Sequence, residues 1–343
     1  MTDRPRLTYR DAGVDRAAAD RAKQRISELA NSTRTEAVVG TFGAFGGCFR
    51  LEPGADGAVL VASADGVGTK LKVAVMAGIH DTVGYDLVAH CADDILAQGA
   101  LPLFFLDYLA LGEMEAGVVE QVVEGVARAC RDVGCALLGG ETAEMPDMYA
   151  AGEYDLAGFI VGQAVNAEPL EGVGVRPGDR LLGLASNGLH TNGYSLVRRI
   201  LFEVAGMDVH TQVPEWGRSV AEELLRPHRS YVAALRPALR RGDVEGLAHV
   251  TGGGIPGNLP RVLPVSCGAR LDTTAWEVPA VFTTLAHLGG VPDDDMWATF
   301  NMGIGMIAVV RAERVASLTA EWEQAGEEVF EIGEVVAGDG VAR

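Results

Sequence analysis

The sequence predicts a mixed α/β protein of two domains, and three observations carry that expectation. The chain has 343 residues, about two domains at roughly 150 residues each. Its 48% apolar content supplies a core to each half. Short apolar runs of strand length alternate with segments of helical period on both sides of a Pro/Gly-rich stretch, Glu168–Asp179. The predicted domains are therefore 1–168 and 169–343.

In chain order, residues 15–30 place Ala18, Ala22, Ile26 and Leu29 at helical spacing. Four glycines then fall among residues 40–47 and break regular structure. Val59–Ala62 reads as a buried strand leading into Ser63–Lys70. Tyr85–Gln98 is helical, with Leu87, Val88, Cys91, Ile95 and Leu96 on one face. Leu103–Leu106 is a strand. Val118, Val119, Val122, Val123, Val126, Cys130 and Val133 form a helical stripe closed by Gly134 as a C′ residue. Strands follow at Cys135–Leu138 and Phe159–Val165. The second half offers a strand at Arg180–Ala185, a helix at Tyr194–Val204, a β-rich run to Val310, a helix at Ala312–Ala325 and a last strand near Val329–Val335.

Composition excludes several function classes. Lys plus Arg number 28 and Asp plus Glu 47, a net charge of −19. A cationic face for nucleic acid or an anionic membrane is not expected. Met1–Asp15 has no apolar signal segment, and Leu101–Leu111 is too short to span a bilayer, so a cytoplasmic location is expected. The five cysteines, Cys48, Cys91, Cys130, Cys135 and Cys267, contain no CxxC pair and read as packing residues.

Four segments carry candidate chemistry. In Asp65-Gly66-Val67-Gly68-Thr69-Lys70 a carboxylate, two glycines, a hydroxyl and a cation suit a hard divalent ion with phosphate oxygens; a tight turn with solvated charges is the alternative. Asp86, His90, Asp93 and Asp94 share one helix, either as a solvated polar face or with Asp94 at a metal. Gly139-Gly140-Glu141-Thr142 follows a strand, where α/β proteins collect ligands; a glycine turn with surface acids is the other reading. His190, Thr191 and Asn192 lie in a polar loop before a helix, suited to phosphate or to capping. His249 reads equally as a structural histidine. No Walker A motif occurs.

Together these strings resemble the phosphoribosylformylglycinamidine cyclo-ligase (aminoimidazole ribonucleotide synthetase) family. The resemblance rests on Tyr9–Asp15, Asp65–Leu71, Asp94–Pro102 (a D-x4-G-A-x-P signature), Phe104–Tyr108, Gly139–Pro146, His190–Leu196, Thr251–Gly254 and Thr299–Met306. It implies ATP-dependent ring closure of formylglycinamidine ribonucleotide through phosphorylation of its formamide oxygen. It also implies an N-terminal sheet that pairs across a homodimer, with the site in the cleft between domains and near that interface. Carried over by position, Asp65 and Asp94 would bind Mg²⁺, and Gly66, Gly68, Thr69 and Lys70 would bind the ATP phosphates. Gly43, Gly46 and Gly47 would form a mobile phosphate cover. Glu141, Thr142, His190, Thr191 and Asn192 would face the substrate, with His190, Lys70 and Glu141 as catalytic candidates. Two departures stand out: Ser27 where relatives often carry lysine, and Asp93 where Asn is common, which adds charge beside the metal. The rivals are another ATP-dependent member of the superfamily, such as thiamine-monophosphate kinase or selenophosphate synthetase, and a catalytically silent binding protein. The intact Asp65, Lys70, Asp94 and Glu141 speak against the second.

Overall fold

The computed structural model describes residues 7–8, 11–12, 16–40, 43–51 and 57–343. The string Tyr9–Asp15 therefore lies largely outside the described residues. In chain order the first half contains α1 (Arg16–Asn31), β1 (Val38–Val39), β2 (Gly47–Arg50), β3 (Val59–Gly66), α2 (Lys70–Ala77), α3 (Val83–Ala97), β4 (Ala100–Leu111), α4 (Ala116–Val133), β5 (Ala136–Glu144) and β6 (Tyr154–Ala164). Its sheet runs β1-β2-β3-β6-β4-β5. All pairings are antiparallel except β4 with β5, which α4 joins as a crossover.

Two strands are longer than the sequence predicts. β4 extends well beyond Leu103–Leu106, and β5 runs through Gly139–Thr142, because parallel pairing with β4 continues from Ala136 to Glu144. The glycine turn expected there is thus strand. Ser63–Gly66 likewise stays in β3, held by β6.

The helices α3 and α4 cover one face of this sheet. They approach closely because both present glycine at the crossing: a Cβ on Gly84 would lie 2.0 Å from the Val122 carbonyl oxygen, and one on Gly125 would lie 2.4 Å from that of Asp81. The opposite face is open and apolar. Ala64, Phe159 and Leu106 form one cross-strand row on it, with Phe159 48% exposed; Leu138 at the β5 edge is 63% exposed.

The second half contains β7 (Arg180–Ala185), α5 (Tyr194–Arg198), which continues as a π-helical turn to Val204, β8 (Gln212–Val213), β9 (Arg218–Ser219), α6 (Val220–Leu224), α7 (Val232–Arg241), β10 (Gly246–His249), α8 (Gly254–Asn258), β11 (Cys267–Leu271), α9 (Ala280–Gly289), α10 (Asp293–Thr299), β12 (Ile304–Val310), α11 (Val315–Gln324), β13 (Val329–Ala337) and β14 (Val341–Ala342). Its main sheet runs β10-β12-β7-β13-β11-β14. Every residue of β12 is buried. Helix α3 lies between the two halves, and all its residues but Tyr85 are buried. A helix apolar on all sides suits such a place, but α3 also carries three Asp and one His.

Candidate active site

Buried charges need partners, and each polar residue of α3 finds one in the second half. Asp86 accepts from the His228 backbone N–H at 2.6 Å. Asp93 accepts from the Tyr231 N–H at 2.9 Å. His90 Nδ1 lies 2.8 Å from Thr191 Oγ1, and Asp94 Oδ1 lies 2.8 Å from His249 Nδ1. The solvated-face reading of this helix is therefore wrong: its acids form a polar seam between the halves.

The end of β3 joins the same seam. Asp65 Oδ2 is 2.8 Å from His90 Nε2, and the Ser63 hydroxyl donates to Asp94 Oδ2 at 3.2 Å. Burial opposes a charge on His90, but Asp65, with Asp94, overrides it and raises its pKa to about 9. His90 is thus a cation bonded to Asp65. Burial would raise Asp65, yet His90 and the Gly66 N–H hold it below its ordinary value. Burial instead depresses His249, His228 and His190, and they are neutral.

These states fix one consistent set of protons. His90 donates from Nε2 to Asp65 and from Nδ1 to Thr191. The Thr191 hydroxyl donates to His228 Nδ1 at 3.4 Å. His228 Nε2 donates to His249 Nε2 at 3.1 Å, and His249 Nδ1 donates to Asp94. An unbroken hydrogen-bonded chain therefore joins the two carboxylates that the sequence singled out.

Two clusters bring possible metal-ligand atoms within 4.8 Å of one another: His190, His228 and His249; and His90, Asp94 and His249. In the second, His90 commits both nitrogens to hydrogen bonds. In the first, His190 Nε2 accepts the Asn187 N–H at 2.9 Å, which leaves the proton on Nδ1, a buried donor with no partner. The carboxylates are better suited to a hard cation. Asp65 is 37% exposed at its side chain, and the trio Asp65, His90, Asp94 carries one net negative charge. This donor set fits a Mg²⁺-type ion.

The glycine loop lies beside this seam. Arg261, from the second half, donates to the Gly43 carbonyl at 3.0 Å and stacks 3.7 Å from the Phe45 ring centroid. Burial depresses the Arg261 guanidinium and the Asp94 charge opposes the shift. A cavity of about 290 Å³ opens here between Gly43, Ala44, Gln98, Leu170, Glu171 and Arg261. Gly46 permits close approach to β3, since a Cβ there would lie 2.9 Å from Val61 Cγ1. Gly47 begins β2. Gly66 and Gly68 flank the turn after Asp65, and Thr69 Oγ1 lies 3.1 Å from Ser195 Oγ. Asn192 Oδ1 approaches Gly252 of the Thr251–Gly254 run.

Other predicted site residues stand elsewhere. Lys70 presents no exposed ammonium group. It is fully buried, pairs with Asp86 at 2.7 Å and donates to the Arg226 and His190 carbonyls at 2.7 and 3.2 Å. Burial pulls Lys70 down and Asp86 up, and their pairing opposes both shifts. Glu141 and Thr142 do not join the cluster. Asp65, Gly158, Asp107 and Gly140 form one row across the sheet, so β5 lies three strand spacings away, about 14 Å. One further residue along the strand, Glu141 points to the opposite, open face. His190 is buried, at a positive φ of 59°, and is a neutral donor rather than an exposed acid.

Asp93 does not add charge. Burial, opposed by the Tyr231 N–H, holds it well above the usual carboxylate range, so it is a neutral acid in the place of an amide. A carboxyl whose native pKa is raised loses its stabilising contribution as pH rises above its unfolded value. Asp93→Asn removes that loss. Its stability gain over the wild type is expected to grow from pH 5 to pH 8, by up to about 1.4 kcal/mol per unit; urea denaturation at both values checks it, and a constant gap refutes it.

Sequence reasoning missed the roles of His228, His249, Tyr231 and Arg261. No local motif marks His228 or Tyr231, and His249 lies 155 residues from its partner Asp94. The glycine run after His249 was the one available signal.

Residues 46–164 match the family described as AIR synthase related protein, N-terminal domain, and residues 176–343 match its C-terminal domain. The chain is 50% identical over 336 residues to a phosphoribosylformylglycinamidine cyclo-ligase of Myxococcus xanthus, covering 98% of this chain and 97% of the relative. A Sorangium cellulosum protein of the same name is 49% identical over 333 residues, 96% of each chain. Among solved structures, thiamine monophosphate kinase from Aquifex aeolicus shares the fold at a TM-score of 0.61 and 17% identity, over 93% of each chain. At nearly half identity over nearly the full length, the chain belongs to the phosphoribosylformylglycinamidine cyclo-ligase family.

Proposed function

We propose that this protein closes the imidazole ring of aminoimidazole ribonucleotide from formylglycinamidine ribonucleotide, at the expense of ATP, in purine biosynthesis. The observation that carries this reading is the meeting of Asp65 and Asp94 around His90 in a chain of this family. A solved relative of the fold is described as AaThiL complexed with AMPPCP and TMP, which supports nucleotide use at such a site.

The chemistry needs an activated oxygen, because an amide oxygen is a poor leaving group. Phosphorylation of the formamide oxygen supplies one; an amidine nitrogen then attacks the carbon and phosphate departs. Asp65 and Asp94 would hold Mg²⁺, which neutralises charge on the transferring phosphoryl group. Gly68 and Thr69 present N–H and hydroxyl donors to the phosphates, while the Gly66 N–H orients Asp65, with the Gly43–Gly47 segment and Arg261 above them. Thr191 and Asn192 face the substrate, and His190 offers the Nδ1 proton as a donor. Lys70 and Asp86 fix the two halves around this arrangement.

The chain divides at 168/169 into a nucleotide-binding half and a second half that completes the site. The two family matches on either side of this boundary support the division. Its open sheet face takes a second copy of the chain, forming a homodimer, with Glu141 at that surface. Large apolar side chains in a row argue for cover. Phe159→Glu is expected to convert the dimer to a monomer in light scattering; a dimer that survives the charge refutes this placement. Among the described residues no helix is long and apolar enough to cross a membrane, in keeping with an enzyme of the cytoplasm.

ADP release tests the activity. Release that requires formylglycinamidine ribonucleotide supports it. Release with thiamine monophosphate or selenide instead would assign the chain to another reaction of the superfamily.

A further inference from the structure

Helix α4 ends in a turn that brings two cysteines together. Gly134 has a φ of 77°, its N–H reaches the Arg131 carbonyl at 3.2 Å, and the Cys135 N–H reaches the Cys130 carbonyl at 2.9 Å. These are the two hydrogen bonds of a Schellman turn, which apposes the side chains of its first and last residues. That contact is commonly apolar; here both partners are cysteine. The turn sets the two thiols side by side, where each acts on the other's ionisation.

The other buried thiols behave differently. Cys48 contacts the Gly46 and Gln98 oxygens, Cys91 the Gly158 carbonyl, and Cys267 the Val175 carbonyl. The paired thiols also differ from each other in access, since Cys130 is buried and Cys135 partly exposed.

We propose that Cys130 and Cys135 are a redox-active dithiol that closes to an intramolecular disulfide, with Cys135 as the attacking sulfur and a small-molecule disulfide as the oxidant. The neighbouring Cys130 thiol lowers the Cys135 thiol below its ordinary pKa, and Cys135, with burial, pushes Cys130 up. The more accessible sulfur is thus the better source of thiolate. It attacks one sulfur of the oxidant, forms a mixed disulfide and expels a thiolate. That thiolate takes the Cys130 proton as the Cys130 sulfur displaces the second thiolate, which takes a proton from water in place of the one Cys135 released. Two electrons pass from the pair to the oxidant, which leaves as two thiols. The bond staples the end of α4 to the start of β5, the edge strand that carries Glu141.

The test treats the intact protein with oxidised glutathione, then blocks free thiols with N-ethylmaleimide under denaturing conditions. Two of the five cysteines are expected to escape blocking. Trypsin cuts after Arg128 and Arg131, so Ala129–Arg131 should stay linked to the fragment that begins at Asp132 until reductant is added. Cys130→Ser should instead retain glutathione on Cys135, and Cys135→Ser should leave Cys130 free. An unlinked tripeptide from the oxidised wild type, whether all thiols are free or glutathione persists on Cys135, overturns the proposal. So does linkage of Cys130 to another cysteine.

Discussion

Asp94→Asn is expected to lower turnover by roughly 10²–10³-fold while the fold and the subunit association stay intact. The substitution conserves shape and deletes one charge. Asp94 lies where two demands meet: it ends the hydrogen-bonded chain from His90 through Thr191, His228 and His249, and it completes the pair of carboxylates around the His90 cation. An amide at 94 still accepts from His249 but leaves that region without the net negative charge that attracts a divalent ion. The loss should therefore appear in kcat and in the Mg²⁺ concentration needed for half-maximal rate. Circular dichroism and light scattering should match the wild type. Unchanged turnover removes Asp94 from the mechanism and leaves it a structural role only.

Lys70→Met should destabilise the protein by about 3–5 kcal/mol. The side chain is fully buried, so its removal strands the Asp86 carboxylate and deprives the Arg226 and His190 carbonyls of a donor. Adding Asp86→Asn should recover much of this, because an amide still accepts from His228 and needs no counter-charge. The single variant, once folded, should keep near-normal kcat and KM for ATP. Denaturant titration together with steady-state kinetics decides the matter. A raised KM for ATP with undiminished stability would return Lys70 to the phosphate site that the sequence suggested.

That disagreement shows where sequence legibility stops. Periodicity located α4 almost to the residue, including Gly134 beyond its end, because an amphipathic stripe is a local property. The strand Arg180–Ala185 was equally clear, as a continuous apolar run before a polar loop. The site was half legible. Asp65 and Asp94 were readable as carboxylates beside glycines, and the structure brings them to one place. Lys70, one residue beyond Gly-Thr, has the same local signature whether it points to a phosphate or into the interior; Asp86 and the 226–228 segment, far along the chain, decide which. Glu141 stands apart from the cluster for another reason. Its strand continues where glycines suggested a turn, and alternation along that strand then turns the side chain away. The partners of α3 were invisible because burial of an ionisable residue depends on what packs against it, and that comes from the other half.

The ties from α3 to 191, 228, 231 and 249 also govern how the molecule can move. Two greasy surfaces can glide past each other with little change in energy. Here each side chain meets a single counterpart, so a shift of one ångström would break several bonds at once. The halves are keyed like a lock with one setting. Opening for substrate should therefore come from the glycine segment and Arg261, while the halves themselves stay in fixed alignment.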